Sequence, residues 1–135
     1  MDKNILFGLL NATEQAAIAA SKFTGSGDKN SIDLAATLAT RACLNKIEFS
    51  AEVAMSEYEK DNAPGLYYKE KLGTIGDLPK FSICSDAVDG TSQLAKNGTD
   101  SMSIIAIANH GCFLETQKFY MNKIAVGRHI AKHLK

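Results

Sequence analysis

The sequence predicts an α+β protein, with two N-terminal helices packed on a mainly antiparallel sheet. Three observations lead there. Over the first 47 residues apolar and small side chains recur at three- and four-residue steps, the period of a helix with one buried face. Beyond Phe49 the apolar residues gather instead in short runs bounded by glycine, proline and polar clusters, as strands do. The two patterns also come in blocks, helices and then strands, whereas a doubly wound sheet needs them to alternate.

The first helix is expected from Ile5 to Phe23, with Leu6, Leu9, Leu10, Ala16, Ala17 and Ala20 on its apolar side. TGSGDK, residues 24–29, ends it, because glycine accepts backbone angles that other residues avoid. Asn30 is the expected cap of a second helix running to about Ile47. Asp33 lies in its favourable first turn, and Ile32, Ala35, Leu38, Ala39 and Ala42 form its stripe. A short strand follows over Glu52 to Tyr58, and the Pro and Gly of Asn62–Gly65 interrupt regular structure. Tyr67 to Leu72 fits helix or strand. Phe81 to Ser85 reads as a compact strand ending at Asp86, and Ser101 to Ala108, SMSIIAIA, as a buried one. Gly111 to Val126 is expected to add a strand or two before the basic tail RHIAKHLK.

At 135 residues and 45% hydrophobic content the chain is the size of one ordinary domain. Fifteen basic and fifteen acidic side chains cancel and form no long block, which argues against nucleic acid or a membrane surface as partner. Small molecules or protein are the expected partners. No run is long enough for a membrane-spanning helix, and the apolar run at Ile5–Leu10 is too short for an export signal. Cys43, Cys84 and Cys112 are odd in number and widely spaced, so they read as reduced core thiols of a cytoplasmic protein.

The densest chemical signal is Asp86-Ala-Val-Asp89-Gly90-Thr91 at an expected strand end. Two carboxylates three apart, with a glycine and a hydroxyl, can face one hard cation, and the glycine lets a phosphate approach the backbone. The same letters also suit an acidic surface turn. A second acidic group, Glu57-Tyr58-Glu59-Lys60-Asp61, and a third at Asp28 also fall at element ends, where a scaffold can hold loop residues around one site.

TGSGDKNSIDLAA, then LN, SEYEKDNAPGLYYKEKLG, DAVDGT and GCFLETQKFYMNKIAVG follow one another in the order and spacing of a known family. The chain resembles the N-terminal half of class II (GlpX-type) fructose-1,6-bisphosphatases. Their wider superfamily, which includes the inositol monophosphatases, shares the Asp-x-x-Asp-Gly-Thr core. The resemblance implies a metal-binding domain over residues 1–127, the first half of a layered sandwich, followed by a basic tail at 128–135. It implies Mg2+ or Mn2+ held by Asp28, Glu57, Asp86 and Asp89, and a sugar bisphosphate touching Asp89, Gly90, Thr91 and Tyr120. Asp28, Thr91 and Asp61 are the implied catalytic residues, with Thr91 and an acid such as Asp28 orienting the attacking water. A homo-oligomer or a complementary chain is expected to complete the site, since family members continue for roughly as long again beyond Gly127.

The sequence departs from the family in three places. Ser56-Glu57-Tyr58-Glu59 replaces a GEGE stretch, Asp89 stands where the family commonly has Glu, and Ser92 replaces an arginine. With the loss of the glycine loop and of the family's second half, a non-catalytic binding or oligomerisation module derived from such an enzyme is the alternative.

Overall fold

The computed structural model describes residues 2–55, 65–76, 78–114, 122 and 124–134. It is the expected α+β arrangement: helices α1 (Lys3–Ser21) and α2 (Lys29–Leu44) lie against a four-stranded sheet ordered β2-β1-β3-β4. The strands are β1 (Ala51–Met55), β2 (Lys71–Leu72), β3 (Phe81–Asp89) and β4 (Met102–Asn109). A short α3 (Thr91–Ala95) follows β3. The outer pairs β1–β2 and β3–β4 are antiparallel, and the central pair β1–β3 is parallel.

Helix α1 begins where the Asp2 carboxylate accepts the Asn4 N–H at 3.0 Å. It buries Ile5, Leu9, Ala12, Ala16 and Ala20, so Leu6 and Leu10, expected inside, are exposed. The helix is apolar on several sides, and the alanine row wins because small side chains let α1 and α2 approach closely. The same rotation affects α2. Its buried residues are Ile32, Ala36, Thr37, Thr40 and Leu44, while Leu38 and Ala42 face out. The Thr40 hydroxyl is buried without penalty because it donates to the Ala36 carbonyl at 2.9 Å.

The cap of α2 is Asp28 and not Asn30. Gly25 and Gly27 both take positive φ, and helical geometry resumes at Lys29, which leaves Asp28 at the cap position. The helix stops at Leu44, three residues short of the expected end. Arg41 in its last turn reaches the 65–70 turn: Nε meets Glu70 Oε1 at 2.6 Å, and the terminal NH2 donates to Glu70 Oε2 at 3.2 Å and to the Gly65 carbonyl at 2.8 Å.

Tyr67 to Leu72 resolves into a turn that ends in the two-residue β2. From Leu72 the chain passes across the start of β1 to reach β3 on the other side. Thr74 N–H donates to the Ile47 carbonyl at 3.0 Å, Ile75 N–H to Phe49 at 3.2 Å, and Phe81 N–H to Ser50 at 3.1 Å. Gly73 (φ +97°) presses so close to Phe49 that a Cβ there would lie 2.0 Å from the Phe49 carbonyl oxygen.

Strand β3 runs to Asp89, past the expected end at Asp86. Strand β4, expected to be buried, has one face open and is an edge among the described residues. Ile105 and Ile107 pack on the core while Met102 and Ile104 are exposed. Of residues 111–126, those described form no strand, and the tail carries a four-residue helix, α4 (Arg128–Ala131). All three cysteines are free, but Cys112 is exposed and is no core thiol.

Candidate active site

Because β1 and β3 are parallel, both deliver their carboxyl ends to one end of the sheet, with Met55 paired to Cys84. The turn between α1 and α2 arrives at the same corner: Gly25 N–H donates to the Leu94 carbonyl and Gly27 N–H to that of Ala95, each at 2.9 Å. The start of α2, the end of β3 and the start of α3 therefore meet, and Asp28, Asp33, Asp86, Asp89 and Thr91 are carried there.

Strand β3 accommodates its acids through a bulge. Asp86 pairs with Ile104 and Asp89 with Met102, so three steps along β3 match two along β4. In a regular strand, positions three apart point to opposite faces. Here the extra residue resets the alternation. Ala87 and Val88 both pack into the second core cluster, and the two aspartates flanking them are both exposed. Asp86 Oδ1 accepts the Val88 N–H at 3.2 Å, which holds the bulge. Gly90 then turns the chain at φ +85°, its carbonyl accepting from Ser101 Oγ at 2.9 Å. A Cβ at position 90 would stand 3.1 Å from that hydroxyl.

Thr91 Oγ1 lies 2.9 Å from Asp33 Oδ1, a hydrogen bond between residues 58 apart, and 2.9 Å from the Val88 carbonyl. The hydroxyl's one proton is directed inward at these acceptors, leaving its lone pairs to receive a bond from outside. The acid beside Thr91 is therefore Asp33 and not Asp28. Asp28 is fully exposed and engaged as a cap, its two oxygens accepting the Ser31 N–H at 3.1 Å and the Ser31 hydroxyl at 2.6 Å. The Ser31 hydroxyl, and after it the Ser31 N–H, holds the Asp28 carboxyl below the usual carboxylate range.

The donors at this corner are carboxylate and hydroxyl oxygens, the kind that hard divalent cations take. Among the described residues, however, no three acidic, histidine or cysteine side chains gather closely enough to hold an ion. Glu57, Asp61 and Tyr120 lie outside the described residues.

A family model described as bacterial fructose-1,6-bisphosphatase, glpX-encoded, matches residues 3–135. The chain belongs to that family. Curated relatives from Prochlorococcus marinus strains MIT 9515 and MIT 9301, both named D-fructose 1,6-bisphosphatase class 2/sedoheptulose 1,7-bisphosphatase, are each 38% identical to it over 125 residues, 93% of this chain. The chain spans 37% of the length of each, nearer a third than a half. The bisphosphatase family match also runs through the basic tail, past the Gly127 at which the motif resemblance stops.

Against this family background the residue missed in the sequence is Asp33. It reads there as a favourable first-turn charge, yet it adjoins the buried stripe of α2 at Ile32 and is itself half-buried. A carboxylate in that position, beside an alanine-rich face, was the available signal for a partner across the fold.

Proposed function

We propose that this chain is the acid-bearing part of a divalent-metal-dependent phosphatase that hydrolyses fructose 1,6-bisphosphate to fructose 6-phosphate and phosphate. The observation that supports it most directly is the Asp33–Thr91 hydrogen bond, seated next to the bulge that exposes Asp86 and Asp89. Met55 ends β1 beside Cys84, and Glu57 follows it by two residues in the sequence, so a further acid enters the same reading.

In this reading Asp86, Asp89 and Glu57 hold Mg2+ or Mn2+, with Asp33 taking over the position first assigned to Asp28. The metal, when bound, neutralises phosphate charge and lowers the pKa of water. The chain's own contribution is to orient and to move a proton. Thr91 Oγ1 takes a proton from the attacking water as it passes its own to Asp33 Oδ1, which sits in place at 2.9 Å, so the hydroxyl is regenerated. The water oxygen then bonds to phosphorus in line with the departing sugar oxygen, which leaves with the bond's electron pair and takes up a proton from solvent water. Gly90, without a side chain, lets Ser101 close against a left-handed turn whose backbone a phosphate oxygen can approach. Asp61 and Tyr120 belong to the same proposal as residues near the reacting phosphate. Partnership with a second copy or a complementary chain, and cytoplasmic residence consistent with free thiols, go with it. Among the described residues no helix is long and apolar enough to cross a membrane.

A second reading, a non-catalytic binding or oligomerisation module, is favoured by the absence of a three-acid cluster among the described residues. Phosphate release from fructose 1,6-bisphosphate with Mn2+ or Mg2+, measured beside Asp86→Ala, separates the two. Release abolished by the substitution is expected. No release from a preparation shown to be folded overturns autonomous catalysis and leaves the binding module.

A further inference from the structure

Helix α1 uses only one side to hold the fold. Its other side carries Phe7, 67% exposed, and Leu10, 54% exposed, with Leu6 and Ile18 also open to solvent. Four outward positions at helical spacing, 3, 7, 10 and 14, form a stripe that reads Lys3, Phe7, Leu10, Glu14. The order is charge, apolar, apolar, opposite charge. Both ends are exposed, and neither joins an ion pair among the described residues.

We propose that this stripe binds the same stripe of a second copy of the chain, the two α1 helices lying antiparallel about a two-fold axis between positions 8 and 9. That axis places Phe7 opposite Leu10 of the second copy, and Lys3 opposite its Glu14. Each contact occurs twice, as a self-complementary two-fold interface requires. The charges select the orientation. A parallel pair would set Lys3 against Lys3 and Glu14 against Glu14, whereas the antiparallel pair makes two attractive contacts that flank an apolar centre. Gly8 does not disturb the stripe, because it faces the core, where a Cβ would come within 2.7 Å of the Ile47 side chain. Two crossing helices cover less than the roughly 1,600 Å² of a standard stable interface, so the dimer is weak, with dissociation in the micromolar range. The inference stands on α1 alone and holds whether or not the chain is a phosphatase.

Sedimentation velocity of the full 135-residue chain, from about 1 to 500 µM, tests it. Concentration-dependent dimerisation is expected. Leu10→Glu should leave a monomer at every concentration, with circular dichroism unchanged and, below the dimerisation range, the urea midpoint unchanged because the site is exposed. Lys3→Glu should weaken the dimer about tenfold, and adding Glu14→Lys should restore it to within about threefold. Lys3→Glu puts an acid in the first turn of α1, where it favours the helix, so that weakening is not a loss of fold. A monomer throughout, or failure of Glu14→Lys to rescue, overturns the proposal. So does an association that survives Leu10→Glu but vanishes with Ile104→Lys, which would assign it to β4 instead.

Discussion

Replacing Glu70 tests whether the α2-to-turn clamp stabilises the fold as its geometry implies. Glu70 is only 6% exposed, and its carboxylate receives Arg41 twice and the Tyr67 N–H at 3.1 Å. Glu70→Ala removes all three acceptances and leaves a guanidinium, its side chain 25% exposed, with the Gly65 carbonyl but no counter-charge. Breaking a fully buried pair costs about 3–5 kcal/mol, and partial hydration of Arg41 reduces that to about 2–3 kcal/mol. With a urea slope of about 2 kcal/mol per molar, the midpoint should fall by about 1–1.5 M. Glu70→Gln keeps acceptors for Tyr67 and one arginine N–H and should lose about half as much. Arg41→Met combined with Glu70→Ala should cost clearly less than the sum of the single changes, since each alone leaves the other's charge without its counter-charge. The reasoning is refuted if Glu70→Ala moves the midpoint by less than about 0.3 M, or if the two changes simply add.

Four further outcomes follow from the described geometry. On the proposed phosphatase reading, Asp33→Asn and Thr91→Val should each lower phosphate release by about a hundredfold or more, and the double change should be no worse than either, because in that reading the two act as one unit. Asp28→Asn should cost far less activity, since that carboxylate caps α2. The Asp28 carboxyl is lowered in the folded state from an ordinary value of 3.8, so its stabilisation is complete above that value and is lost as pH falls through the lower folded pKa. Urea midpoints of the natural chain and Asp28→Ala should accordingly differ by a constant amount above about pH 5 and converge towards pH 2, with Ser31→Ala narrowing the gap. Gly73→Ala should destabilise by at least about 2 kcal/mol in the same denaturation assay, because strained backbone and a clash with the Phe49 carbonyl act together.

The layering was legible because order alone, helices before strands, limits how the layers form. Which side of each helix is buried was not. Leu6 and Ala16 satisfy the same spacing rule, and only the close approach of α1 to α2 decides for the alanines. Asp86, Asp89 and Thr91 stood out because carboxylates, glycine and a hydroxyl fall within six letters. Asp33 did not, because its meaning depends on a contact across 58 residues. The Asn30 cap failed for a local reason: two capping residues lie two positions apart, and the φ of Gly27 chooses between them. The bulge was also invisible, since an extra residue in β3 is defined only by its count against β4.

The passage of residues 73–76 and 78–80 across the start of β1 implies a kinetic expectation. The α1–α2 hairpin joins neighbouring segments and can form early, but β3 finds its parallel place beside β1 only after the chain has gone round residues 47–50. Pairing the central strands requires that loop to close first, so they are expected to assemble late. On that expectation, weakening the contacts made by that crossing, Gly73 on Phe49 above all, should quicken unfolding while leaving the refolding rate nearly unchanged.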